Sequence, residues 1–352
     1  MARAVVAIPV RDEAERIGAC LAALNVQSRS PDAVVLMLNN CSDATEAIVH
    51  AVAPRLRFAL DVVSRDLPAA QAGAGHARRL ALELAAKQAD YDSVLLTTDA
   101  DAVVPPDWIA RNLHALESGG DIVCGRALID PLEAIAIPAH LHADDARECR
   151  LITLLDTIAW VLDPEPHDPP PRHTEASGAS LAVRTDVFRR VGGIPAMRFG
   201  EDRAFVRALW MMDARVRHDP SIAVTVSGRI IGRAEGGMAD AIRRRIIRQD
   251  EFTDDQAEPA ANAFRRYEMR YRARRAWIGT VDTTLASDLL LSPARLDAAL
   301  SRRWFGSAWA ALEAASPVLK RSRVRFADLA REIAAAETLL PAAAAPETLA
   351  AD

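Results

Sequence analysis

Residues 93–113 read SVLLTTDADAVVPPDWIARNL, and this stretch decides the fold class. The apolar run at 94–96 is strand length, and it ends in the polar segment Thr97 to Asp101. Two prolines, Pro105 and Pro106, then break the chain before Ile109, Leu113 and Leu116 repeat at helical spacing, with Asp107 placed to cap the helix. A strand, a polar turn and an amphipathic helix make one βα unit. Asp99-Ala100-Asp101 therefore stands at the C-terminal end of a strand, which is where doubly wound sheets bind ligands. Asp90-Tyr91-Asp92 has the same spacing but precedes the strand, so position separates the two. Two carboxylates held at that end could bind Mg²⁺ or Mn²⁺ bridging a diphosphate. The plain alternative is a solvated loop that caps the following helix.

The unit repeats outward from this centre. Apolar runs at 4–10, 33–38, 57–63 and 121–126 read as strands. Ile17, Leu21 and Leu24 mark one helix, Asp43 with Glu46 a capping box for another, and Leu80 with Leu84 a third. Strands alternating with such helices predict an α/β domain with a mostly parallel, Rossmann-like sheet covered on both faces. Downstream, 140–162 reads as a helix, and the proline-rich 163–173 as an extended, mobile rim. A strand at 179–183 and helices from 185 and from 201 follow, and beyond Gly237 the chain is helical. The expected domains are 1–235, split into halves at 1–130 and 131–235, and a helical extension over 236–352.

The chain has 352 residues with 43 basic and 48 acidic side chains, a formal charge of −5. Half the residues are apolar and 26% are charged, which excludes a disordered chain. Net acidity argues against a nucleic-acid binder. Cys20, Cys41, Cys124 and Cys149 form no C-x-x-C pair and read as reduced thiols. The first residues reach acidic charge too soon for a signal peptide, and no apolar run approaches the roughly 20 residues of a membrane span. The expectation is a cytoplasmic protein without an integral membrane segment, with peripheral membrane contact left open.

Candidate site residues cluster at strand ends. The first strand ends in Pro9-Val10-Arg11-Asp12-Glu13 and the second in Asn39-Asn40-Cys41-Ser42-Asp43, beside the same rim as Asp99. Such carboxylates and amides suit the hydroxyls and base edge of a nucleoside, although Asp12 and Asp43 could equally cap helices. Gly73-Ala74-Gly75-His76-Ala77-Arg78-Arg79 opens a helix where a phosphate could approach, but it lacks the dinucleotide fingerprint. Glu201-Asp202 follows a glycine turn and offers either a general base or an ordinary first-turn acidic pair. Arg229 and Arg233, in a glycine-bearing stretch, could close on a diphosphate. His218 is a candidate third metal ligand, and a structural histidine otherwise.

Taken in order, AIPVRDEAERIGACLAAL, VVLMLNNCSDAT, GAGHARRLAL, LLTTDADAVVPPDWI, SGASLAVRTDVFRRVGGIP and GEDRAFVRAL resemble family 2 glycosyltransferases. The resemblance covers about residues 4–210 and implies a GT-A type nucleotide-diphospho-sugar transferase fold. It implies that Glu13 and Asn40, with Pro9 and Arg11 on the same rim, hold the nucleoside. Arg78 meets the nucleotide, Asp99-Ala100-Asp101 holds the metal and diphosphate, and Asp202 deprotonates the acceptor hydroxyl with Glu201 orienting the site. The partners implied are a nucleotide-diphospho-sugar donor and a hydroxyl-bearing acceptor. Asn39-Asn40 departs from the Asp-Asp often found in the family, and Arg79 stands where it often has asparagine. Retaining enzymes of the mannosylglycerate and glucosyl-phosphoglycerate synthase type also use a D-x-D and a downstream histidine, so Asp101 with His218 leaves that outcome open. Nucleotidyltransferases on a similar sheet, and a non-catalytic binding protein, are the other readings.

Overall fold

In the computed structural model, residues 2–230, 232, 237–247 and 250–343 are described. The strands are β1 (Ala4–Val10), β2 (Ala33–Asn39), β3 (Ala59–Arg65), β4 (Val94–Thr97), β5 (Ile122–Ile129), β6 (Leu181–Arg184) and β7 (Val216–Val226). The helices begin with α1 (Ile17–Asn25), α2 (Thr45–Val52), α3 (Ala74–Gln88), α4 (Trp108–Glu117), α5 (Pro131–Ala134), α6 (Ala139–Leu162) and α7 (Thr185–Val191). They continue with α8 (Glu201–Trp210), α9 (Met238–Ile247), α10 (Ala260–Trp277), α11 (Leu285–Asp288), α12 (Pro293–Leu300), α13 (Phe305–Ala315) and α14 (Leu329–Ala343).

One compact unit comprises residues 1–137, 175–210 and 214–244. Its sheet runs β3-β2-β1-β4-β6-β5-β7. All neighbours are parallel except β6, which is antiparallel to both β4 and β5. The mostly parallel sheet expected from the alternation of runs is thus present. Every residue of β1 and β2 is buried, because both faces are covered and neither strand can alternate with polar residues. Ala4, Val6 and Ile8 face one core with Ile17, Leu21, Trp108 and Ile109. Val5 and Ala7 face the other with Ala77, Ala81, Phe188 and Phe205, as the period of two requires.

The inverted strand matters for the site. Because β6 runs backwards, the loop before it, Ser177 to Ser180, arrives at the rim where β4 ends: Thr97 pairs with Leu181. Buried Trp108 donates its indole Nε1–H to Ser180 Oγ at 3.0 Å and holds that loop. A buried indole needs such a partner.

The other unit comprises 138–174, 211–213 and 245–352. The boundary expected at 235/236 therefore differs: α6 and the proline-rich segment belong with the C-terminal helices. The reason is packing. Leu151, Leu154, Leu155 and Ile158 of α6 share a core with Ala260 and Ala263 of α10 and Leu329 of α14. The expected mobility of 163–173 is also corrected. Asp163 is buried and accepts hydrogen bonds from Arg270 and Arg274. Glu165 pairs with the same arginines, and Arg172 donates to Asp156 at 2.7 Å. The prolines stiffen a segment that ion pairs hold down. Among the described residues, no helix is long and apolar enough to cross a membrane.

Candidate functional site

The site lies in the first unit, where β1, β2 and β4 end and β6 begins. Past β1 the chain turns at Asp12, whose φ of 50° lies in the left-handed region. Its Oδ1 accepts from the backbone N–H of Ser42 at 2.7 Å and of Asp43 at 3.3 Å. This ties the end of β1 to the end of β2. Asp43 stands one residue before the assigned cap, Ala44, and its Oδ1 accepts from the backbone N–H of Thr45, the first residue of α2, at 2.9 Å. Glu13 is buried, its N–H donating to Thr45 Oγ1 at 2.8 Å.

Two acids meet one arginine here. Arg229 donates through Nη1 to Glu13 Oε2 at 2.8 Å and through Nη2 to Oε1, and Nη2 lies 3.0 Å from Asp101 Oδ2. Burial pushes the Asp101 carboxyl up, the neighbouring Asp99 pushes it further, and Arg229 only partly offsets them, leaving it at about 7. A carboxylate so strained as an anion calls for a cation beside it. The turn that carries Arg229 is fixed by Glu133, which accepts from Ser227 Oγ at 3.0 Å, Gly228 N at 2.7 Å and Arg16 Nη2 at 2.8 Å.

Arg78 is the second centre. It sits in the first turn of α3, whose start must pass close to the 197–201 segment. A Cβ on Gly75 would lie 2.3 Å from Met197 O. The buried Arg78 guanidinium donates Nε–H to Glu201 Oε1 at 2.9 Å and Nη1–H to Thr97 Oγ1 at 3.0 Å and Gly178 O at 2.8 Å. Nη2 donates to Asp99 Oδ1 at 2.7 Å. Burial alone would lower its pKa, but Asp99 and Glu201 hold it above the ordinary arginine range. The guanidinium lies flat on Gly178, where a Cβ would stand 2.3 Å from Cζ. Removing one partner of such a buried set typically costs about 3–5 kcal/mol.

The backbone N–H of Gly178 donates to Asp202 Oδ2 at 2.8 Å, and that of Arg203 to Asp202 Oδ1 at 2.7 Å. Asp202 is half-buried at the start of α8, beside fully buried Glu201. Each Asp202 oxygen keeps a further lone pair for a hydroxyl donor.

The structure thus brings together Glu13, Asp99, Asp101, Arg78, Glu201, Asp202 and Arg229. Pro9 lies buried in β1, and Ala100 is buried between the two aspartates. Arg11 donates to Ala72 O at 2.7 Å. Asn40 is tied to the backbone. Its φ is 51°, and its amide both donates to and accepts from the Leu67 backbone at 3.1 Å. Its neighbour Asn39 is buried with Oδ1 unpaired among the described residues; its amide Nδ2 reaches Gly73 O at 3.5 Å. His218 is not brought to the acids. The register places Thr97, Leu181, Cys124 and His218 in one row across β4-β6-β5-β7, so three strand spacings, about 14 Å, separate His218 from Thr97. Arg233 lies outside the described residues.

Among the described residues no group of three or more His, Cys, Asp or Glu side chains is arranged to hold a metal. Asp99 and Asp101 remain as two hard oxygen donors, and a guanidinium already stands as counter-cation on Asp101. That donor chemistry fits Mg²⁺ or Mn²⁺, provided Arg229 gives way.

Comparisons with known proteins bear on this arrangement. No curated protein matches the chain. S. aureus TarS 1-349 in complex with UDP-GlcNAc is 15% identical with a TM-score of 0.48, covering 91% of each chain. Another S. aureus TarS chain is covered over only 47% of its length. The mannosyltransferase PcManGT from Pyrobaculum calidifontis, in complex with GDP-Man and Mn²⁺, is 18% identical with a TM-score of 0.46, over 99% of this chain and 87% of that one. Glucosyl-3-phosphoglycerate synthase from Mycobacterium tuberculosis is 15% identical with a TM-score of 0.42, over 84% and 82%. Likenesses of this size transfer no ligand to this chain. The family model described as glycosyl transferase family 2 matches residues 5–154, the stretch that carries Glu13, Arg78, Asp99 and Asp101. Over those residues the chain is similar to glycosyl transferase family 2.

Proposed function

We propose that the protein is a cytoplasmic, metal-dependent glycosyltransferase that moves a sugar from a nucleotide-diphospho-sugar to an acceptor hydroxyl with inversion. The observation that carries this reading is the pairing of two carboxylate sets on one rim, Asp99 with Asp101 and Glu201 with Asp202, through the single guanidinium of Arg78. One set suits a diphosphate with its cation, the other a hydroxyl proton.

Glu13, just past the end of β1, lies on the same rim, where the nucleoside would sit. Asp202 accepts the proton of the acceptor hydroxyl as its oxygen bonds to the anomeric carbon, and the bond from that carbon to the diphosphate breaks with its electron pair leaving on the phosphate. General-base assistance of this kind contributes about 10²–10⁴-fold. Arg229, released from Asp101, is placed to pair with the departing diphosphate. A cation held by Asp99 and Asp101 would supply charge neutralisation at the leaving group. The retaining alternative drew on His218, which lies strands away from the acids, so inversion is favoured.

The test is a panel of UDP-, GDP- and TDP-sugars with Mn²⁺, following free nucleotide and the anomeric configuration of the product. One donor should be turned over, with activity lost in excess chelator and in Asp101→Ala. Full turnover under chelation removes the metal from the reading, and a retained configuration removes Asp202 as base.

A further inference from the structure

We propose that Arg78 is a positioning residue that holds the donor carboxylate Asp99 and the acceptor-side pair Glu201–Asp202 in one frame, without itself touching the nucleotide. The inference rests on the transferase reading and deepens it. It also departs from the nucleotide contact implied by resemblance.

Three observations support it. Four of the five guanidinium N–H groups already have protein acceptors, on Glu201, Thr97, Gly178 and Asp99. A bidentate grip on a diphosphate needs two free parallel donors, and only one remains. The side chain is 5% exposed, so no open face is left for a ligand to reach. The acceptors come from four places: the end of β4, the loop after it, the loop before β6, and the first residue of α8. They are separated from Arg78 by 19, 21, 100 and 123 residues. Gly178 closes the frame, since its carbonyl accepts from Arg78 while its N–H donates to Asp202. The chain Asp99–Arg78–Gly178–Asp202 therefore runs from the diphosphate acid to the base through hydrogen bonds of 2.7, 2.8 and 2.8 Å. A shift in one acid is passed to the other.

The test uses Arg78→Lys, which keeps a positive charge but offers one nitrogen, and Glu201→Gln, which keeps the shape of the acceptor. Readouts are kcat and donor KM, the Kd of UDP and of GDP by calorimetry without metal, and the melting temperature. Arg78→Lys should lower kcat by about 100-fold through misplacement of reacting groups. Its nucleotide Kd should stay within about threefold of wild type, a shift below 1 kcal/mol. Glu201→Gln should lower kcat in the same way, and the double variant should be no worse than the poorer single one, as expected for residues acting as a unit. A nucleotide Kd weakened about tenfold or more with kcat near wild type overturns the proposal, because that pattern marks a ligand contact. Independent, additive losses overturn it as well. Should Arg78→Lys not fold, Glu201→Gln still decides through its split between kcat and KM. Wild-type protein that releases nucleotide from no donor refutes the transferase reading instead, and the Kd comparison then decides by itself whether Arg78 touches the nucleotide.

Discussion

The Arg229 guanidinium lies 3.0 Å from Asp101 Oδ2 while donating to both oxygens of Glu13. One side chain thus occupies the position that the proposed divalent cation would need. Removing it should free the carboxylate. At pH 8, above the value of about 7 for Asp101, Arg229→Gln is expected to tighten Mn²⁺ binding by about tenfold, or 1.4 kcal/mol. Free Mn²⁺ followed by electron paramagnetic resonance during a titration gives the answer. Unchanged or weaker binding would mean that the arginine and the metal do not compete.

Asp202→Asn keeps the shape at the start of α8 and removes the carboxylate proposed as proton acceptor. It should cut kcat by about 10²–10⁴-fold and leave donor Kd near wild type, since its contacts are with the Gly178 and Arg203 backbone. Steady-state kinetics with a donor titration test this. An undiminished kcat excludes the carboxylate as base.

Gly178→Ala would place a methyl 2.3 Å from Cζ of Arg78. Neither the buried guanidinium nor the loop before β6 can move without breaking hydrogen bonds. Overpacking of this kind costs about 1–3 kcal/mol, so the melting temperature should fall and kcat with it. A variant with wild-type melting and turnover would show that the contact relaxes freely.

Acid should loosen the second unit through Glu165. Burial alone would raise its pKa, but Arg270, and then Arg274, bring it down to about 2. A depressed carboxyl contributes its stability in full above the ordinary value, near 4.3, and loses it as pH falls from there towards 2. The shift corresponds to at most about 3 kcal/mol. Glu165→Gln should therefore be less stable than wild type at pH 7, with the gap closing below pH 4, as read by denaturant unfolding at several pH values. A gap independent of pH contradicts the linkage.

What the sequence revealed depended on distance along the chain. β1, β2 and β4 were legible because strands buried on both faces are continuous apolar runs, and Asp99 and Asp101 because a local run and turn place them. The backward course of β6 was not legible, since LAVR carries no mark of direction. Nor was the transfer of residues 138–174 to the second unit, which depends on α6 meeting helices a hundred and more residues later. The different surroundings of Asn39 and Asn40 go with one left-handed φ at Asn40, which no local pattern announces. Arg78 was visible as a charged residue near a rim, but its acceptors lie up to 123 residues away. Arg229 meets Glu13 across 216 residues, beyond any local pattern.

Glu133 has a kinetic consequence. By accepting from both Ser227 and Gly228 while anchored to Arg16, it acts as a pivot pin for the turn from which the Arg229 side chain reaches Asp101. Arg229 can then trade Asp101 for another anion by rotating about its own bonds, with the backbone at rest. Side-chain rotations take picoseconds to nanoseconds, whereas loop rearrangements of the lid type take microseconds to milliseconds. Changing partners at Asp101 therefore calls for rotation of one side chain and not for a loop rearrangement of that kind.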